Sequence, residues 1–332
     1  MGQATVNLRA VRSPSQWRPT SAGSFALVVL GASLWGTDPL IRQWLALQVS
    51  ASVIVFCEHL LSALVTAPFA IRGLRKAVRR FRAVDWISLV ALGCGASAIA
   101  TLLFTQAFTY DVPSTPVLLQ QVQPLIVVVL ARMMLHERLQ KRFALYLVGG
   151  MVGAYLIAFP HPNQVSVRGW IPALLTLAAA SLWGMGTVLG RRLGSILPFE
   201  ELTALRLSFG LVAATVVVVV QGNAPVVWHL DAKSALALGA LALIPGLLAL
   251  LLYYRGLRGT PASAATIGEL AFPLTALVVV FAAFHTTLSA SQWVGVALLA
   301  GTMLAMGLLK TNETPTGVEI GPLNPGTEAA TA

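Results

Sequence analysis

The sequence predicts an all-α, polytopic membrane protein with ten transmembrane helices in two inverted five-helix repeats. Of the 332 residues, 57% are hydrophobic and only 10% are charged, whereas a typical soluble domain has about 25% charged residues. The pentapeptide Ala-Ser-Leu-Trp-Gly at residues 32–36 returns 148 residues later, at residues 180–184. Lysine and arginine residues gather at one end of the predicted helices, as they do at the cytoplasmic ends of membrane spans.

Ten apolar segments approach or reach the roughly 20 residues that a membrane-spanning helix needs. They cover residues 25–41, 49–71, 84–108, 113–135 and 143–159 in the first half, and 170–190, 198–220, 234–257, 261–284 and 291–309 in the second. These segments divide the chain into a basic cytoplasmic tail (1–24), two repeats (25–160 and 168–310) and a C-terminal tail (311–332). The last tail is rich in Pro, Gly, Thr and Glu, a composition that predicts disorder.

The positive charges predict the orientation in the membrane. With the N-terminus in the cytoplasm, seventeen lysines and arginines lie on the inner side, while Arg42, Arg168 and Lys233 lie on the outer side. Because each half has five helices, an odd number, the second half enters the membrane from the opposite side. We therefore expect both termini to be cytoplasmic in the cell (inner) membrane. The net charge of +10 is interpreted as this topology signal and not as a nucleic-acid surface.

The duplication extends beyond the pentapeptide. With an offset of 149 residues, Pro124 meets Pro273 and Gln120 meets Glu269. Two five-helix halves that each open with Ser-Leu-Trp-Gly resemble the EamA-type branch of the drug/metabolite transporter superfamily. The run His-Glu-Arg-Leu at residues 136–139 after Pro124 is similar to the short acidic turn of that family, although the second half reads His-Thr-Thr-Leu there. The resemblance implies a ten-helix carrier for small metabolites, with a central cavity between the halves.

Three charged residues, Glu58, Arg206 and Glu269, stand out because they lie well towards the middle of predicted helices. A charge at the centre of a transmembrane helix costs about 2.5–3.5 kcal/mol on insertion scales, so it faces a cavity or a partner. One interpretation is that all three contact a polar substrate or a coupling proton. The alternative is that Arg206 and Glu269 pair across helices and only stabilise the second half. Glu58 has no cation at its predicted depth, which makes it the candidate for a protonatable group.

Amide and aromatic side chains complete the predicted substrate site. Gln120 and Gln123 lie three residues apart on one helix face, where they line a cavity or bond a neighbouring helix. Trp35 and Trp183 lie too deep to anchor the protein at the membrane interface. They belong either to the packed core or to a wall on which a substrate stacks.

Pro124 and Pro273 each remove a backbone hydrogen bond within a predicted helix. They predict a helix kink, which also serves as a flexible point between transport states. Asp38, near the outer end of the first helix, is expected to be solvated or paired with Arg42.

The function expected from these features is a secondary transporter of small metabolites that works by alternating access, driven by a substrate or proton gradient. An exporter of amino-acid-like or other small polar or amphipathic compounds is predicted. The alternatives are a membrane-embedded enzyme or lipid-handling protein, and a non-transporting membrane subunit.

The chain has no hydrolase, zinc-protease or phosphate-loop motif, so no enzyme activity and no cofactor are expected. Cys57 and Cys94 fall in apolar segments and predict neither a disulfide nor a metal site. The expected partners are a small-molecule substrate and the lipid bilayer. Protons as a coupling ion, and a homodimer instead of a monomer, are left open.

Overall fold

The structure is a computed structural model that describes residues 22–110, 116, 119–120, 122–137, 143–159, 161, 170–284 and 289–308. Almost all of both predicted tails and the turn at 285–288 lie outside these residues, as do several of the counted charges. Within the described part, regular structure is helical. We number its helices α1 (Ala22–Trp35), α2 (Asp38–Ala46), α3 (Ala51–Arg80), α4 (Ala83–Ala107), α5 (Gln123–Met134), α6 (Phe143–Ala158), α7 (Trp170–Leu193), α8 (Phe199–Val220), α9 (Ala232–Leu257), α10 (Ala262–Glu269), α11 (Ala271–Phe284) and α12 (Ala290–Leu308). A short 3₁₀ helix, Ala224–His229, precedes α9.

Five of these helices, α3, α4, α7, α8 and α9, are long and apolar enough to cross a membrane. Their lengths run from 22 to 30 residues, which at about 1.5 Å per residue spans the hydrocarbon core. Four shorter helices, α1, α5, α6 and α12, are also apolar. The predicted all-helical membrane class is thus confirmed, while ten complete crossings stay a prediction.

Two predicted helices are interrupted. The segment predicted at 25–41 is divided into α1 and α2 at Gly36 and Thr37. Pro39 stands in the first turn of α2, where its missing N–H costs nothing. A side chain at Gly36 would bring its Cβ to 2.6 Å from Cβ of Thr275, so glycine lets α11 pack directly against the break. The interruption brings residues of α2 back towards the interior.

The second break separates α10 from α11 at Leu270. Pro273 stands in the first turn of α11, and Pro124 stands in the first turn of α5. The predicted kinks are therefore placed at the starts of new helical segments. Because proline has no N–H, the carbonyls four residues earlier, those of Gln120 and Glu269, cannot accept the usual i+4 helical hydrogen bond. These two residues are the pair that the duplication relates.

The largest helix contacts join one half of the chain to the other. α3 packs on α8, α6 on α12, α1 on α9, and α4 on both α7 and α8. Equivalent helices exchange places in this pattern, as an inverted repeat requires. The two repeats therefore interlock through these helices.

Both halves contain a π-helical segment at related positions. The first is Ala91–Ile99 within α4, and the second is Ala242–Leu248 within α9, which corresponds to residues 93–99 after a shift of 149. Each accepts a hydrogen bond across the interface, and Ser62 Oγ donates to the carbonyl of Ala242 at 3.1 Å. Since π-helical turns concentrate at functional sites, the space between the two segments is a candidate functional site.

Ionic contacts join the halves at the predicted cytoplasmic side. Lys76 pairs with Glu201 at 2.5 Å, and Arg192 pairs with Asp85 at 3.0 Å. Both pairs connect the inner ends of helices that belong to different repeats.

The acidic turn after α5 makes a third connection on the same side. His136 adopts a left-handed conformation with φ of 53°, and the next residue, Glu137, is only 1% exposed. The Glu137 carboxylate accepts from the backbone N–H groups of Ala262 and Ser263, at 2.9 and 3.0 Å. It therefore caps the N-terminus of α10, where a negative charge is stabilised by the helix dipole.

Packing of α6 against α12 should depend on Gly153. A Cβ at this position would lie 2.9 Å from the Leu299 nitrogen and 3.0 Å from the Gly295 carbonyl oxygen, both of which are backbone atoms. We expect Gly153→Leu to lower the free energy of unfolding by about 1–3 kcal/mol, measured as a lower Tm in detergent. Gly301→Leu on α12, where a Cβ would meet nothing within 4 Å, is the matched control. Equal Tm values for the two variants would contradict the packing assignment.

Candidate functional site

A cavity of about 200 Å³ lies between the two halves. It is lined by residues of both repeats, including the π-helical segments and the residues beside the helix breaks. The residues singled out from the sequence all contribute to its walls: Trp35, Glu58, Gln120, Gln123, Pro124, Trp183, Arg206, Glu269 and Pro273. The sequence therefore identified one contiguous surface.

Arg42 is the centre of an ionic cluster on the first-half side of the cavity. Its guanidinium donates to Asp38 at 2.6 Å and to both Glu58 oxygens at 2.8 and 2.9 Å. A further bond to the Thr105 hydroxyl, at 3.1 Å, brings a third helix into the cluster. The prediction that Glu58 has no cation at its level is wrong, because the break after α1 returns Arg42 to the interior. Arg42 is 4% exposed and is not a residue of an outer loop.

Two carboxylates thus share one guanidinium in this cluster. Arg42 has five N–H donors in a planar fork, which matches two bidentate carboxylates. With both carboxylates ionised, the group carries one excess negative charge. The predicted pairing of Asp38 with Arg42 is observed. Such a buried group is costly when one partner is removed.

His59 follows Glu58 directly and also lines the cavity. Its Nδ1 atom lies 2.8 Å from the Val55 carbonyl oxygen, and its Nε2 atom lies 3.0 Å from the Ser97 hydroxyl. Gly210 on α8 allows this close approach, because a Cβ there would lie 2.4 Å from His59 Cδ2. The imidazole is therefore held in place from both repeats.

Arg206 and Glu269 do not form the structural ion pair that was one of the two interpretations. The Arg206 guanidinium instead donates to the Tyr254 hydroxyl at 2.6 Å and to the Ala96 carbonyl at 3.0 Å. Ala96 belongs to the first π-helical segment, so this contact crosses between the repeats. The Tyr254 ring centre lies 5.6 Å from the guanidinium carbon, within the range of a cation–π interaction.

Glu269 is held by neutral donors. Gln123 donates its side-chain amide at 2.8 Å, Thr187 its hydroxyl at 3.1 Å and Tyr253 its hydroxyl at 2.5 Å. Three hydrogen bonds keep the carboxyl group directed into the cavity without a cation in contact. The amide partner of Glu269 is Gln123, one helical turn after its sequence equivalent Gln120.

Aromatic rings form two parts of the wall. Trp35 packs on Tyr253 with a centroid distance of 4.9 Å, and Trp183 packs on Phe104 with the same distance. Both indoles line the cavity while packing on a second ring. The two interpretations of Trp35 and Trp183, core packing and a cavity wall, are therefore compatible.

Sequence reasoning missed several members of this site. Tyr253, Tyr254 and Thr187 were not singled out, although a buried tyrosine hydroxyl needs a partner, and two adjacent tyrosines in an apolar helix were a usable signal. Arg42 was assigned to a loop. Its spacing of four residues from Asp38 placed both on one helix face and was the available indication of the cluster.

Known proteins share this sequence pattern and this fold. The sequence profile of the EamA-like transporter family matches residues 23–159 and again residues 170–307. The riboflavin transporter ImpX of Fusobacterium nucleatum is 30% identical over 262 residues, which are 76% of this chain and 86% of that protein. A riboflavin transporter of Brucella anthropi is 23% identical over 168 residues, which are 50% of this chain and 56% of that one.

A solved crystal structure superposes with a TM-score of 0.67 over 88% of this chain and 99% of the other, at 18% identity. At 18% sequence identity, this similarity shows only that the two proteins share a fold. Since the family profile covers both repeats, the chain belongs to the EamA-like transporter family and is a multi-pass membrane transporter of small metabolites, not an enzyme.

Proposed function

We propose that this transporter carries riboflavin, or a closely related flat heteroaromatic metabolite, across the cell (inner) membrane by alternating access. The observation that carries the proposal is the cavity wall, where aromatic rings from both repeats stand beside hydrogen-bonding side chains. The indoles of Trp35 and Trp183 lie at positions related by the duplication. A flat ring system stacks favourably on such surfaces. The two relatives that are named riboflavin transporters support this substrate class.

The polar groups of the wall suit the rest of a flavin. A flavin ring carries donors and acceptors along one edge, and riboflavin adds a chain of hydroxyl groups. Gln120, Gln123, Glu269 and Arg206 offer amide, carboxyl and guanidinium groups on the cavity side. We assign these residues to substrate contact, with Trp35 and Trp183 as stacking surfaces. Ligand sites in proteins commonly combine apolar walls with a few placed polar groups.

Riboflavin transport is tested with the purified full-length chain in liposomes. We expect saturable uptake of radiolabelled riboflavin that exceeds uptake by protein-free liposomes and is inhibited by unlabelled lumiflavin. Vesicles preloaded with riboflavin measure efflux in the same preparation. The predicted export direction requires net outward movement of riboflavin under the physiological gradient. Uptake equal to that of empty liposomes would contradict the substrate assignment. Light scattering during size-exclusion chromatography distinguishes a monomer from a homodimer.

An amino-acid-like substrate is the second candidate. Arg206 and Glu269 carry opposite formal charges and line the same cavity without pairing, as recognition of a zwitterion requires. Counterflow of labelled tryptophan in the same liposomes tests it. Tryptophan counterflow without riboflavin counterflow would favour the amino-acid assignment over the flavin one.

The Trp183 indole should contribute directly to flavin binding. We expect Trp183→Leu to weaken riboflavin binding about 2- to 12-fold, because a stacked aromatic pair contributes about 0.5–1.5 kcal/mol. Quenching of flavin fluorescence by the purified protein measures the Kd. Trp228→Leu is the matched control, because Trp228 is 83% exposed and lies away from the cavity wall. Unchanged affinity in Trp183→Leu, with normal Tm, would remove Trp183 from the site.

We further propose that the Asp38–Arg42–Glu58 cluster binds the coupling proton. Two carboxylates share one guanidinium, so uptake of one proton neutralises the cluster. We expect Glu58→Gln to abolish riboflavin accumulation driven by a pH gradient while riboflavin exchange continues, because Asp38 still pairs with Arg42. The liposome assay with and without a pH gradient measures both.

The control for this experiment is Asp231→Asn. Asp231 caps α9 away from the cavity, accepting from the N–H groups of Lys233 and Ser234, and asparagine is an equally good N-cap. It should leave both modes of transport unchanged. Persistence of pH-driven accumulation in Glu58→Gln would assign the proton to another group or to none.

A further inference from the structure

Arg206 carries a buried donor that has no hydrogen-bond partner. Within the described part of the chain, five buried side-chain nitrogen or oxygen atoms lack a partner. Arg206 Nε is the one that belongs to a residue of the cavity wall. A buried donor left unsatisfied costs about 1–3 kcal/mol, and more when the group is charged. Arg206 therefore keeps hydrogen-bonding capacity that the described residues leave unused, on a side chain that lines the cavity.

The rest of the guanidinium is fixed in place. One terminal nitrogen donates to the Tyr254 hydroxyl and the other to the Ala96 carbonyl. The Tyr254 ring adds a cation–π contact. These anchors hold the planar group in one orientation before a ligand arrives, which reduces the ordering cost of binding.

Among the described residues, no carboxylate forms an ion pair with Arg206 within 4 Å. The Glu58 carboxylate is occupied by Arg42, and the Glu269 carboxyl is bonded to three neutral donors. These three hydrogen bonds do not require the Glu269 carboxyl to be ionised. A cation in an apolar bundle with no carboxylate in contact is stabilised by an electron-rich ligand group.

We propose that Arg206 receives the electron-rich oxygen edge of the substrate and determines specificity for it. In a flavin this edge is the dione side of the ring, with its carbonyl oxygens and N1. In an amino-acid-like substrate the same chemistry is a carboxylate. The assignment to the flavin ring rests on the proposed function, whereas the need for an acceptor at Arg206 rests on the geometry of the cavity.

Flavin binding to purified variants tests the assignment. The probes are riboflavin and lumiflavin, which share the ring while lumiflavin lacks the ribityl chain. We expect Arg206→Gln to weaken both by the same factor, about 10- to 100-fold, as for a lost hydrogen bond to a charged group. Arg206→Lys keeps the charge without the fork and should be intermediate. A loss confined to riboflavin would move the contact to the ribityl chain, and no loss for either would overturn the proposal.

The control for a merely structural role is Tyr254→Phe. It removes one anchor of the guanidinium from outside the cavity wall and keeps the Nε–H. We expect a smaller loss of flavin affinity than in Arg206→Gln. Tm values are measured for all variants. Equal affinity losses in Tyr254→Phe and Arg206→Gln, tracking equal losses of Tm, would make Arg206 a packing residue.

A second pair of probes separates this inference from the proposed function. Tryptophan and tryptamine differ by one carboxylate. If wild-type protein binds neither flavin, the riboflavin assignment fails, and Arg206→Gln should then weaken tryptophan binding and spare tryptamine. Equal effects on the two amines would overturn the role of Arg206 as well. Wild-type protein that binds none of the four probes would contradict both proposals.

Discussion

Charge buried in an apolar helix bundle is the constraint on which this structure depends. Inside a bilayer, a charged side chain cannot be hydrated freely and must find partners within the protein. Arg42 is satisfied by two carboxylates and a hydroxyl, and Glu269 by three neutral donors. Each of these groups faces the same cavity. The polar interior of the transporter is thus built from contacts that a uniformly apolar bundle would not contain.

Departures from regular helix geometry make these contacts available. The interruption between α1 and α2 turns Arg42 inward, and the π-helical segment in α4 presents the Ala96 carbonyl to Arg206. Prolines remove helical donors opposite the carbonyls of Gln120 and Glu269. Irregular backbone is tolerated at membrane depth where it lines a cavity. In this bundle the π-helical segments and the prolines recur in both repeats, whereas the break between α1 and α2 has no counterpart in the continuous helix α7.

The helices, the repeat and the set of cavity residues were predictable from the sequence because their signals are local. Apolar length predicts a helix, and an offset of about 148 residues relates Trp35 to Trp183. The partners were harder to predict. Glu58 was expected to lack a cation, since placing Arg42 required knowledge of a helix break set by tertiary packing at Gly36. Tyr253 on α9 contacts Glu269 on α10, and no spacing along the chain predicts that pairing. Composition gives no signal for π-helical turns.

The interlocking of the repeats has a consequence for biosynthesis. Glu137 bonds to backbone groups 125 and 126 residues further along the chain, and Lys76 pairs with a residue 125 positions later. When the first five helices have been inserted, their main packing partners have not yet left the ribosome. The nascent first repeat must therefore wait in the lipid with its glycine faces open and with Lys76, Asp85 and Glu137 unmatched, although the Asp38–Arg42–Glu58 cluster lies wholly within it. The native bundle closes only when the second repeat packs against it.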